Sequence, residues 1–339
     1  MKNFWTQLKK PILALAPMAG VTDAAFRPLV KSYGADVIYT EFASTHALIH
    51  GNEATRRMIA YQPEEQPVVC QLFGNEPDKF AESAKILESL GFAGVDINFG
   101  CPAYKVVTHG GGVVLMKDPE QCRKIVEATC NAVTIPVSVK IRASIKCSPN
   151  CPSPSDGIRH SVMDKSKTAV DLVNQIKDLP VAALMIHGRS FEQPFDGWPD
   201  VAMITAVRKI FPGILLANGG VYTPEDAKRM LNETGADGIG IARGAWGKPW
   251  IFQQVRDYLA TGSYVKPTWD EIVAVIIRHA EMAKKYKSAH GFIELRKHLA
   301  WYVKGIPHAS ALRRELVRVK TLEEIITILQ TVPALTSTQ

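Results

Sequence analysis

The sequence predicts an α/β fold: a (β/α)8 TIM barrel followed by a small C-terminal helical bundle. β-rich apolar runs alternate with helical patterns from the N-terminus to Trp250, and this alternation predicts a parallel sheet. Eight such units with none to spare favour a closed barrel over an open doubly wound sheet. Each strand candidate also begins apolar and ends on polar or glycine-rich residues, and barrel active sites lie at the C-terminal ends of the strands.

Each predicted strand is a short apolar run bounded by glycine, proline or polar residues. The eight candidates are Ile12–Gly20, Ala35–Ser44, Val68–Gly74, Gly94–Pro102, Pro136–Arg142, Ala183–Arg189, Gly213–Gly220 and Gly238–Gly244. Several of the helices between them begin with proline or an acidic residue, as helix N-termini prefer. These helices include Pro77–Leu90, Pro119–Asn131, Thr168–Asp178, Pro199–Phe211 and Pro224–Asn232.

Beyond Trp250 the pattern becomes purely helical. Short amphipathic helices are predicted at Glu271–Lys287, Gly291–Val303, Ala309–Val319 and Leu322–Val332. Tyr264–Pro267 is interpreted as a linker, so the domain boundary is placed at residue 262. Residues 1–262 then form the barrel, and residues 263–339 form a basic helical domain.

One segment interrupts the barrel pattern after the fifth strand. Ser144–Ser166 contains Cys147, Cys151 and three prolines, and it is predicted to be a long loop over the barrel mouth. The two cysteines do not predict zinc, because no second Cys or His pair follows at zinc spacing and His160 is the only nearby candidate. No metal site is predicted, and the six cysteines are expected to be free thiols.

The composition is that of an ordinary soluble globular enzyme. Hydrophobic residues make up 46% of the chain and charged residues 22%. No run reaches the roughly 18 apolar residues of a membrane span, and the first residues lack the apolar region of a secretory signal. We therefore expect a cytoplasmic protein with no membrane contact, and we expect a monomer.

The basic charge of the chain is concentrated near the C-terminus. The net charge is +7, while the segment from Arg278 to Lys320 holds eleven Lys or Arg residues against three acids. Aromatic residues such as Phe292 and Trp301 interleave with these cations. An ordinary solvated helical surface could carry such charges, but the one-sided excess favours binding to RNA phosphates.

Cys101 follows the fourth predicted strand directly, in the segment Asn98-Phe99-Gly100-Cys101-Pro102. A free cysteine is commonly a buried structural residue, and that alternative stays open. Here a glycine precedes the cysteine and a proline follows it, which predicts a turn that presents the thiol at the barrel mouth. Cys101 is therefore the candidate catalytic residue.

Cationic side chains at the next strand ends predict a polar or anionic ligand at the same mouth. Lys140 ends an otherwise apolar strand, where an unpaired ammonium is costly, although the side chain could instead snorkel out of the barrel. His187-Gly188-Arg189 ends the sixth strand. A histidine there is more often structural, but its cationic neighbours favour a polyanion or the edge of a flavin.

Two glycine-containing clusters end the seventh and eighth strands. They are Asn218-Gly219-Gly220 and Ala242-Arg243-Gly244. Either cluster alone is a weak signal, because tight turns also require glycine. Together they occupy the two strand ends where barrels often bind phosphate, with backbone N–H groups that can approach it.

The strand ends form a recognisable set of segments: Ala16–Asp23, Gln71–Gly74, Asp96–Pro102, Lys140–Arg142, His187–Arg189 and Asn218–Val221. This set resembles the tRNA-dihydrouridine synthase family, and Arg296–Gly305 is similar to that family's helical RNA-binding domain. The Gly-Cys-Pro loop together with the basic segment from Arg278 to Lys320 is specific to this family, whereas other FMN barrels share the remaining barrel motifs. The segment 144–166 is unusual for the family.

The resemblance implies a barrel that contains FMN, takes electrons from NADPH and acts on tRNA. By motif, the implied cofactor-binding residues are Pro17, Met18, Ala19, Gln71, Lys140, His187, Asn218, Gly219, Gly220, Ala242 and Arg243. The implied contacts with the uridine or its phosphates are Asn98, Lys105 and Arg189. Contacts with the rest of the tRNA are expected from Lys297, Lys304, Arg313 and Arg314.

The implied reaction is reduction of the C5=C6 bond of uridine to 5,6-dihydrouridine. Hydride from reduced FMN arriving at C6 leaves negative charge on C5 and O4, so a positioned acid must protonate C5. A thiol with a pKa near 8.5 is mostly protonated at neutral pH. This chemistry predicts Cys101 as the proton donor, and it predicts that the uridine is flipped out of the RNA fold.

Two alternatives stay open. An FMN barrel acting on a free pyrimidine, such as a dihydroorotate dehydrogenase, would use Cys101 as a base, but it would leave the basic tail without a purpose. An RNA-binding protein with an inactive barrel would carry no yellow cofactor.

Overall fold

A closed barrel of eight parallel strands forms the centre of the protein, in a computed structural model that describes residues 3–146, 166–193, 197–287 and 290–331. The strands are β1 (Ile12–Leu15), β2 (Val37–Tyr39), β3 (Ala43–Ser44), β4 (Val68–Phe73), β5 (Gly94–Phe99), β6 (Val137–Lys146), β7 (Ser166–Thr168), β8 (Val181–Ser190), β9 (Ile214–Asn218) and β10 (Gly238–Ile241). All but β3 and β7 belong to the barrel, which closes where β1 pairs with β10 and β2 pairs with β4. The predicted (β/α)8 barrel is confirmed.

Helices surround the barrel and continue beyond it. They are α1 (Phe26–Ser32), α2 (Thr45–Ile49), α3 (Glu53–Ile59), α4 (Pro77–Ser89), α5 (Tyr104–Val107), α6 (Pro119–Ala132), α7 (Ala169–Ile176), α8 (Val201–Ile210), α9 (Pro224–Thr234), α10 (Ile251–Thr261), α11 (Trp269–Lys287), α12 (Gly291–Tyr302), α13 (Ala309–Leu316) and α14 (Leu322–Gln330). Capping explains several starts: α6 and α9 each begin with proline, and Asp118 and Thr223 accept hydrogen bonds from backbone N–H groups of the first turn.

Side chains along each strand alternate between the barrel interior and the surrounding helices. On β1, Leu13 and Leu15 pack into the core beneath the helices, whereas Ile12 and Ala14 belong to a separate cluster inside the barrel. Trp5, which precedes β1 and is 1% exposed, joins that inner cluster. The inner cluster is drawn largely from the early part of the strands, so the inward positions near their C-terminal ends are left for polar residues.

Most barrel strands end earlier than predicted. β1 stops at Leu15 instead of Gly20, and β5 stops at Phe99 instead of Pro102. The residues beyond them form turns, and Gly20 has a φ of 69°, which glycine adopts without strain. The polar strand-end residues therefore lie partly in loops, where the chain can aim them across the barrel mouth.

The end of β6 corrects the sequence prediction. β6 continues to Lys146 instead of stopping at Arg142, and Ser144–Lys146 pairs antiparallel with β7. The prediction that Ser144–Ser166 is entirely loop was therefore wrong at both ends, because this pairing satisfies backbone groups that a loop would leave to solvent. Cys147, Cys151 and His160 lie outside the described residues.

The helices after the barrel pack directly against it. α10 ends before Gly262, whose φ of 79° is typical of a helix C-cap, and α11 to α14 correspond to the four helices predicted beyond Trp250. The rings of Phe26 and His298 lie 4.9 Å apart, and Trp246 stacks on Trp301 with ring centroids 4.4 Å apart. The division of the chain at residue 262 stays a prediction.

Some features concern only the part of the chain that the structure describes. None of its helices combines the length and apolar character that crossing a lipid bilayer requires. It contains no cluster of His, Cys, Asp and Glu suited to a metal ion. Its cysteines, Cys70, Cys101, Cys122 and Cys130, are free thiols.

Candidate active site

A cavity of about 390 Å³ opens at the C-terminal end of the barrel strands. Its volume lies within the ~300–1,000 Å³ typical of small-molecule sites. Of the residues predicted from the sequence, the cavity is lined by Pro17, Met18, Gln71, Asn98, Cys101, Lys140, His187, Arg189, Asn218, Gly219, Gly220, Ala242 and Arg243. The barrel thus brings together side chains that are far apart in the chain.

A chain of buried hydrogen bonds joins β4, β5 and β6. Gln71 Nε2 donates to Asp96 Oδ2 at 2.6 Å, and the Ser138 hydroxyl donates to Asp96 Oδ1 at 2.6 Å. Asn98 Nδ2 in turn donates to Gln71 Oε1 at 2.8 Å. Burial raises the pKa of Asp96 to about 6 against the opposing effect of these hydrogen bonds. Because a carboxylate can only accept, Asp96 sets the orientation of the Gln71 amide and, through it, that of Asn98.

Asn98 also holds the loop that carries Cys101. Its Oδ1 accepts hydrogen bonds from the backbone N–H groups of Gly100 at 3.0 Å and Cys101 at 2.8 Å. The Cys101 carbonyl accepts from the Val113 backbone N–H at 3.1 Å. Gly112, with a φ of 64°, approaches so closely that a Cβ there would lie 2.6 Å from that carbonyl oxygen. The backbone of Cys101 is therefore fixed on both sides.

The Cys101 thiol is half-buried at the cavity wall. Burial raises the pKa of Cys101 above its usual value, while a backbone hydrogen bond and the charges of Lys140 and Arg142 oppose this rise without cancelling it. A protonated thiol can act as a general acid, and the two cations would then stabilise the thiolate that remains.

The lining of the cavity is electropositive. Among the described residues that line it, the formally charged ones are Lys140, Arg142, Arg189 and Arg243. Burial, assisted by Arg142, lowers the pKa of Lys140 to about 8. Arg142 donates from Nε to the Gly100 carbonyl at 2.9 Å and from Nη1 to the Ser190 carbonyl at 2.8 Å, which ties the Cys101 loop to β8. Such a cavity favours an anionic ligand.

His187 is neutral in this setting. Burial lowers the pKa of His187 to about 2, and the surrounding cations, Lys140 first, contribute. Arg189 Nη1 lies 3.2 Å from His187 Nε2. A guanidinium can only donate, so Nε2 accepts and the ring proton lies on Nδ1. His187 therefore offers one hydrogen-bond donor and no charge.

The backbone at the end of β9 adopts conformations that favour glycine. Gly219 has a φ of 107° and Gly220 a φ of 72°, and a Cβ on Gly219 would lie 2.7 Å from the His187 ring. Asn218 Nδ2 donates to the Gly240 carbonyl at 2.6 Å, which joins the ends of β9 and β10. This narrow turn brings main-chain N–H groups to the cavity, as an anion cradle requires.

Six of the predicted residues lie outside the cavity: Ala19, Lys105, Lys297, Lys304, Arg313 and Arg314. Ala19 is exposed on the turn after β1, and Lys105 is exposed on α5. Lys297 points from α12 towards the barrel mouth, since its Nζ lies 3.5 Å from where a Cβ of Gly20 would be. Lys304 is exposed just after α12, and Arg313 and Arg314 are exposed on α13.

The residues at the site that were given no role from the sequence include Asp96, Arg142, Tyr222 and Trp246. The two-residue period of β5 and β6 could have identified the first two, because it places Asp96 on the face of Asn98 and Arg142 on the face of Lys140. Tyr222 and Trp246 lie after strand ends, where no periodic pattern indicates which side chains reach the cavity.

Comparisons with known proteins match nearly the whole chain. A family model described as dihydrouridine synthase (Dus) matches residues 14–338. The probable tRNA-dihydrouridine synthase of Rickettsia conorii is 36% identical over 304 residues, which cover 89% of this chain and 87% of that protein. The tRNA-dihydrouridine synthase B of Xanthomonas axonopodis pv. citri is 33% identical over 313 residues, or 92% of this chain and 89% of that one. The structure of histamine dehydrogenase from Rhizobium sp. 4-9 covers 94% of this chain and 62% of its own with a TM-score of 0.54, and at 13% identity the likeness concerns the fold alone.

Proposed function

The chain belongs to the dihydrouridine synthase family, and from this premise we propose that it is a tRNA-dihydrouridine synthase. It reduces the C5=C6 bond of specific uridines in tRNA, with FMN as its cofactor, NADPH as the reductant and Cys101 as the acid. The observation that carries the assignment is the position of the Cys101 thiol at the wall of a cavity lined by Lys140, Arg142, Arg189 and Arg243. We place its activity in the cytoplasm, where tRNA is found, and we expect it to act as a monomer.

The residues at the barrel mouth suit FMN on chemical grounds. A flavin mononucleotide has a planar ring with hydrogen-bonding edges and one phosphate. The amide of Gln71 and the ammonium of Lys140 could hydrogen-bond to the ring edge, and the neutral His187 offers one further donor. The backbone N–H groups of the glycine turn after β9 and the guanidinium of Arg243 could bind the phosphate. The proposed cofactor-binding residues are Pro17, Met18, Ala19, Gln71, Lys140, His187, Asn218, Gly219, Gly220, Ala242 and Arg243.

The chain's own part in the chemistry is proton transfer. The cofactor held by the residues at the barrel mouth would supply the hydride that reaches carbon C6 of the uracil ring. Negative charge then develops on C5 and O4, and Cys101 donates its proton to C5. Lys140 and Arg142 stabilise the thiolate left on Cys101, because their charges already lower its pKa in the resting protein. A proton from solvent restores the thiol.

Binding of tRNA is assigned to two groups of residues. Asn98, Lys105 and Arg189 are proposed to contact the uridine or its phosphates, because they lie at or beside the cavity. Lys297, Lys304, Arg313 and Arg314 are proposed to contact phosphates further along the RNA. The target base leaves its stack to enter the cavity, since a stacked uridine cannot reach a site inside the barrel mouth.

The decisive experiment is nucleoside mass spectrometry of unmodified tRNA incubated with the purified protein and NADPH. We expect 5,6-dihydrouridine to appear, and we expect the protein to show a flavin absorption spectrum before the reaction. A protein that oxidises dihydroorotate and leaves the tRNA unchanged would overturn the assignment in favour of a free-pyrimidine enzyme. A colourless protein that binds tRNA without reducing it would be an RNA-binding protein with an inactive barrel.

A further inference from the structure

A second cleft lies beside the active cavity, where the barrel meets the C-terminal helices. It has a volume of about 270 Å³ and is formed by the loops after β9 and β10, the 264–267 segment and the end of α12. Its aromatic and basic lining residues include Tyr222, Lys248, Trp250, Lys266, Trp301 and Lys304. None of them was assigned a role at the catalytic centre, and only Lys304 was considered as an RNA contact.

Aromatic rings form part of the cleft wall. Tyr222 is 40% exposed, so its ring is open to a ligand, and the Arg243 guanidinium lies 5.4 Å from the ring centroid. Trp301 is held in place because it stacks on Trp246, with centroids 4.4 Å apart and planes 8° from parallel. Fixed aromatic rings offer a surface for a nucleobase at little cost in side-chain entropy.

Positive charge surrounds the same cleft. Lys248, Lys266 and Lys304 line it and are exposed, and none of the described residues that line it is acidic. The carboxylate of Glu225 lies beside Tyr264, another lining residue, and hydrogen-bonds to its hydroxyl. One acid beside three lysines leaves an excess of positive charge, which favours a phosphate.

The cleft is continuous with the active cavity along the chain and in space. Tyr222 lines both, and Gly247 in the cleft directly follows Trp246 in the cavity. Gly247 has a φ of 63°, and a Cβ there would lie 2.5 Å from the Trp301 backbone, so this loop packs tightly on α12. A ligand that extends from the cavity past Tyr222 therefore enters the cleft next.

We propose that the cleft binds one nucleotide unit, a base with its phosphate, adjacent in the RNA strand to the uridine that enters the active cavity. The inference rests on the proposed function. The rings of Tyr222 and Trp301 receive the base, and the three lysines receive the phosphates. The volume of about 270 Å³ lies just below the ~300–1,000 Å³ of pockets that enclose drug-sized ligands, so the cleft suits one nucleotide unit.

The same chemistry of base and phosphate occurs in the adenosine half of NADPH. The experiment must therefore separate RNA from the reductant. A double charge reversal, Lys248→Glu with Lys266→Glu, changes two exposed side chains of the cleft and leaves the catalytic residues intact. The matched control is Lys85→Glu with Lys124→Glu, two exposed lysines on α4 and α6 on the outside of the barrel.

Three quantities are measured on the flavin-loaded enzyme: the Kd for an unmodified tRNA transcript over a range of salt, the KM for NADPH in flavin reduction, and kcat at saturating tRNA. For the cleft variant we expect the Kd for tRNA to rise about 10-fold or more and the slope of log Kd against log salt to fall by about 2. The KM for NADPH and kcat should stay within about 2-fold of the wild type. The control should show a much smaller change in both RNA quantities.

Equal changes in the cleft variant and the control would overturn the inference. A raised KM for NADPH with unchanged tRNA binding would assign the nucleotide to the reductant and overturn the RNA assignment. The proposed function is tested separately. If the wild type binds tRNA but forms no dihydrouridine, the proposed reaction is excluded. The inference about the cleft depends only on the tRNA-binding data.

Discussion

Cys101 differs from the cysteines that act as nucleophiles. Nucleophilic cysteines have lowered pKa values, because helix N-termini or neighbouring cations favour the thiolate. Burial raises the pKa of Cys101 despite the nearby charges of Lys140 and Arg142. A protonated thiol beside two cations has the two properties that a general acid needs: a proton to donate and nearby positive charge to stabilise the thiolate.

Replacing Cys101 with Ala should remove the acid without disturbing its loop. The loop is held by the backbone N–H and carbonyl of residue 101, which the substitution leaves in place. We expect dihydrouridine formation to fall about 10²–10⁴-fold, the usual contribution of a general acid, while NADPH reduces the flavin at the normal rate. Stopped-flow absorbance and nucleoside mass spectrometry measure the two steps. Cys130→Ala on α6 is the control, and full turnover by Cys101→Ala would exclude the proposed role.

Gly219 is the second residue whose identity the structure explains. At a φ of 107° any side chain is strained, and a Cβ would also lie 2.7 Å from the His187 ring. Gly219→Ala should weaken FMN retention about 10- to 100-fold, which corresponds to ~1–3 kcal/mol of local strain. Bound flavin after gel filtration measures the effect. Gly262→Ala is a matched control, because that glycine has a φ of 79° with nothing within 4 Å of the added Cβ; equal flavin loss in both variants would argue against a special role for Gly219.

At the scale of elements, α11 and α12 dock on the barrel through a buried aromatic cluster. The rings of His279 and His298 lie 5.5 Å and 4.9 Å from that of Phe26, and the Tyr302 hydroxyl lies 3.1 Å from His279 Nδ1. Beside the cluster, Lys287 Nζ lies 2.7 Å from Asp23 Oδ2 and holds the pKa of Asp23 well below its usual range in spite of burial. Apolar packing and the Lys287–Asp23 ion pair therefore both attach the C-terminal helices to the barrel.

This docking should weaken in mild acid. Burial lowers the pKa of His279 to about 4, and burial together with His279 lowers that of His298. Because the histidine pKa is lower in the folded state, the unfolded state binds protons first as the pH falls. The stability that the neutral histidines contribute is therefore fully present above about pH 6.5 and is lost as the pH falls towards about 4. We expect the free energy of unfolding in urea to drop between about pH 7 and pH 5, with His279 alone contributing roughly 2 kcal/mol.

His298→Phe should reduce this pH dependence, and His279 should account for part of what remains. Neither ring nitrogen of His298 has a hydrogen-bond partner among the described residues, so an apolar ring of similar size loses no hydrogen bond there. Urea unfolding at a series of pH values measures the slope. The control is His46→Phe on α2, where the side chain is exposed and the slope should not change. A wild-type slope in His298→Phe would show that other groups carry the acid sensitivity.

At the scale of the whole molecule, the barrel interior is apolar near the N-terminal ends of the strands and polar at their C-terminal ends. Trp5 and Ile12 belong to the apolar cluster, whereas cationic and amide side chains line the barrel mouth. The basic C-terminal segment meets this mouth, because Lys297 reaches Gly20 and Lys304 lines the second cleft. A polyanion bound to the helices is thereby placed next to the catalytic cavity, as the proposed reaction on one base of a folded RNA requires.

Charge reversal on α13 tests this arrangement. Arg313→Glu with Arg314→Glu changes two exposed side chains. If both contact phosphates, the affinity for tRNA should fall, and the salt slope of binding should decrease by about 1 for each lost contact. Flavin reduction by NADPH should be unaffected. Filter binding over a salt series measures the effect against the Lys85→Glu and Lys124→Glu control, and binding equal to that control would remove these arginines from the RNA interface.

The barrel and most of its site could be predicted because both depend on local periodicity. A run such as Val137–Lys140 is recognisable as a strand from its residues alone. Eight such runs, separated by helices, favour a closed barrel. The same period also determines which side chains face inward, so Gln71, Asn98 and Lys140 could be assigned to one cavity before any contact was known. The turn at Cys101 was recognisable because glycine and proline restrict the backbone on either side of it.

By itself, then, the sequence determined the number of barrel strands and the direction in which each strand presents its side chains, and it singled out Cys101 as the candidate acid. Only the tertiary structure decided that β6 pairs with β7, that Asp96 orients Gln71, and that Tyr222, Lys248 and Trp301 meet in one cleft. Local patterns describe neighbours along the chain. The distance between the loop after β10 and the end of α12 depends instead on how the helices pack against the closed barrel, which many side chains set together.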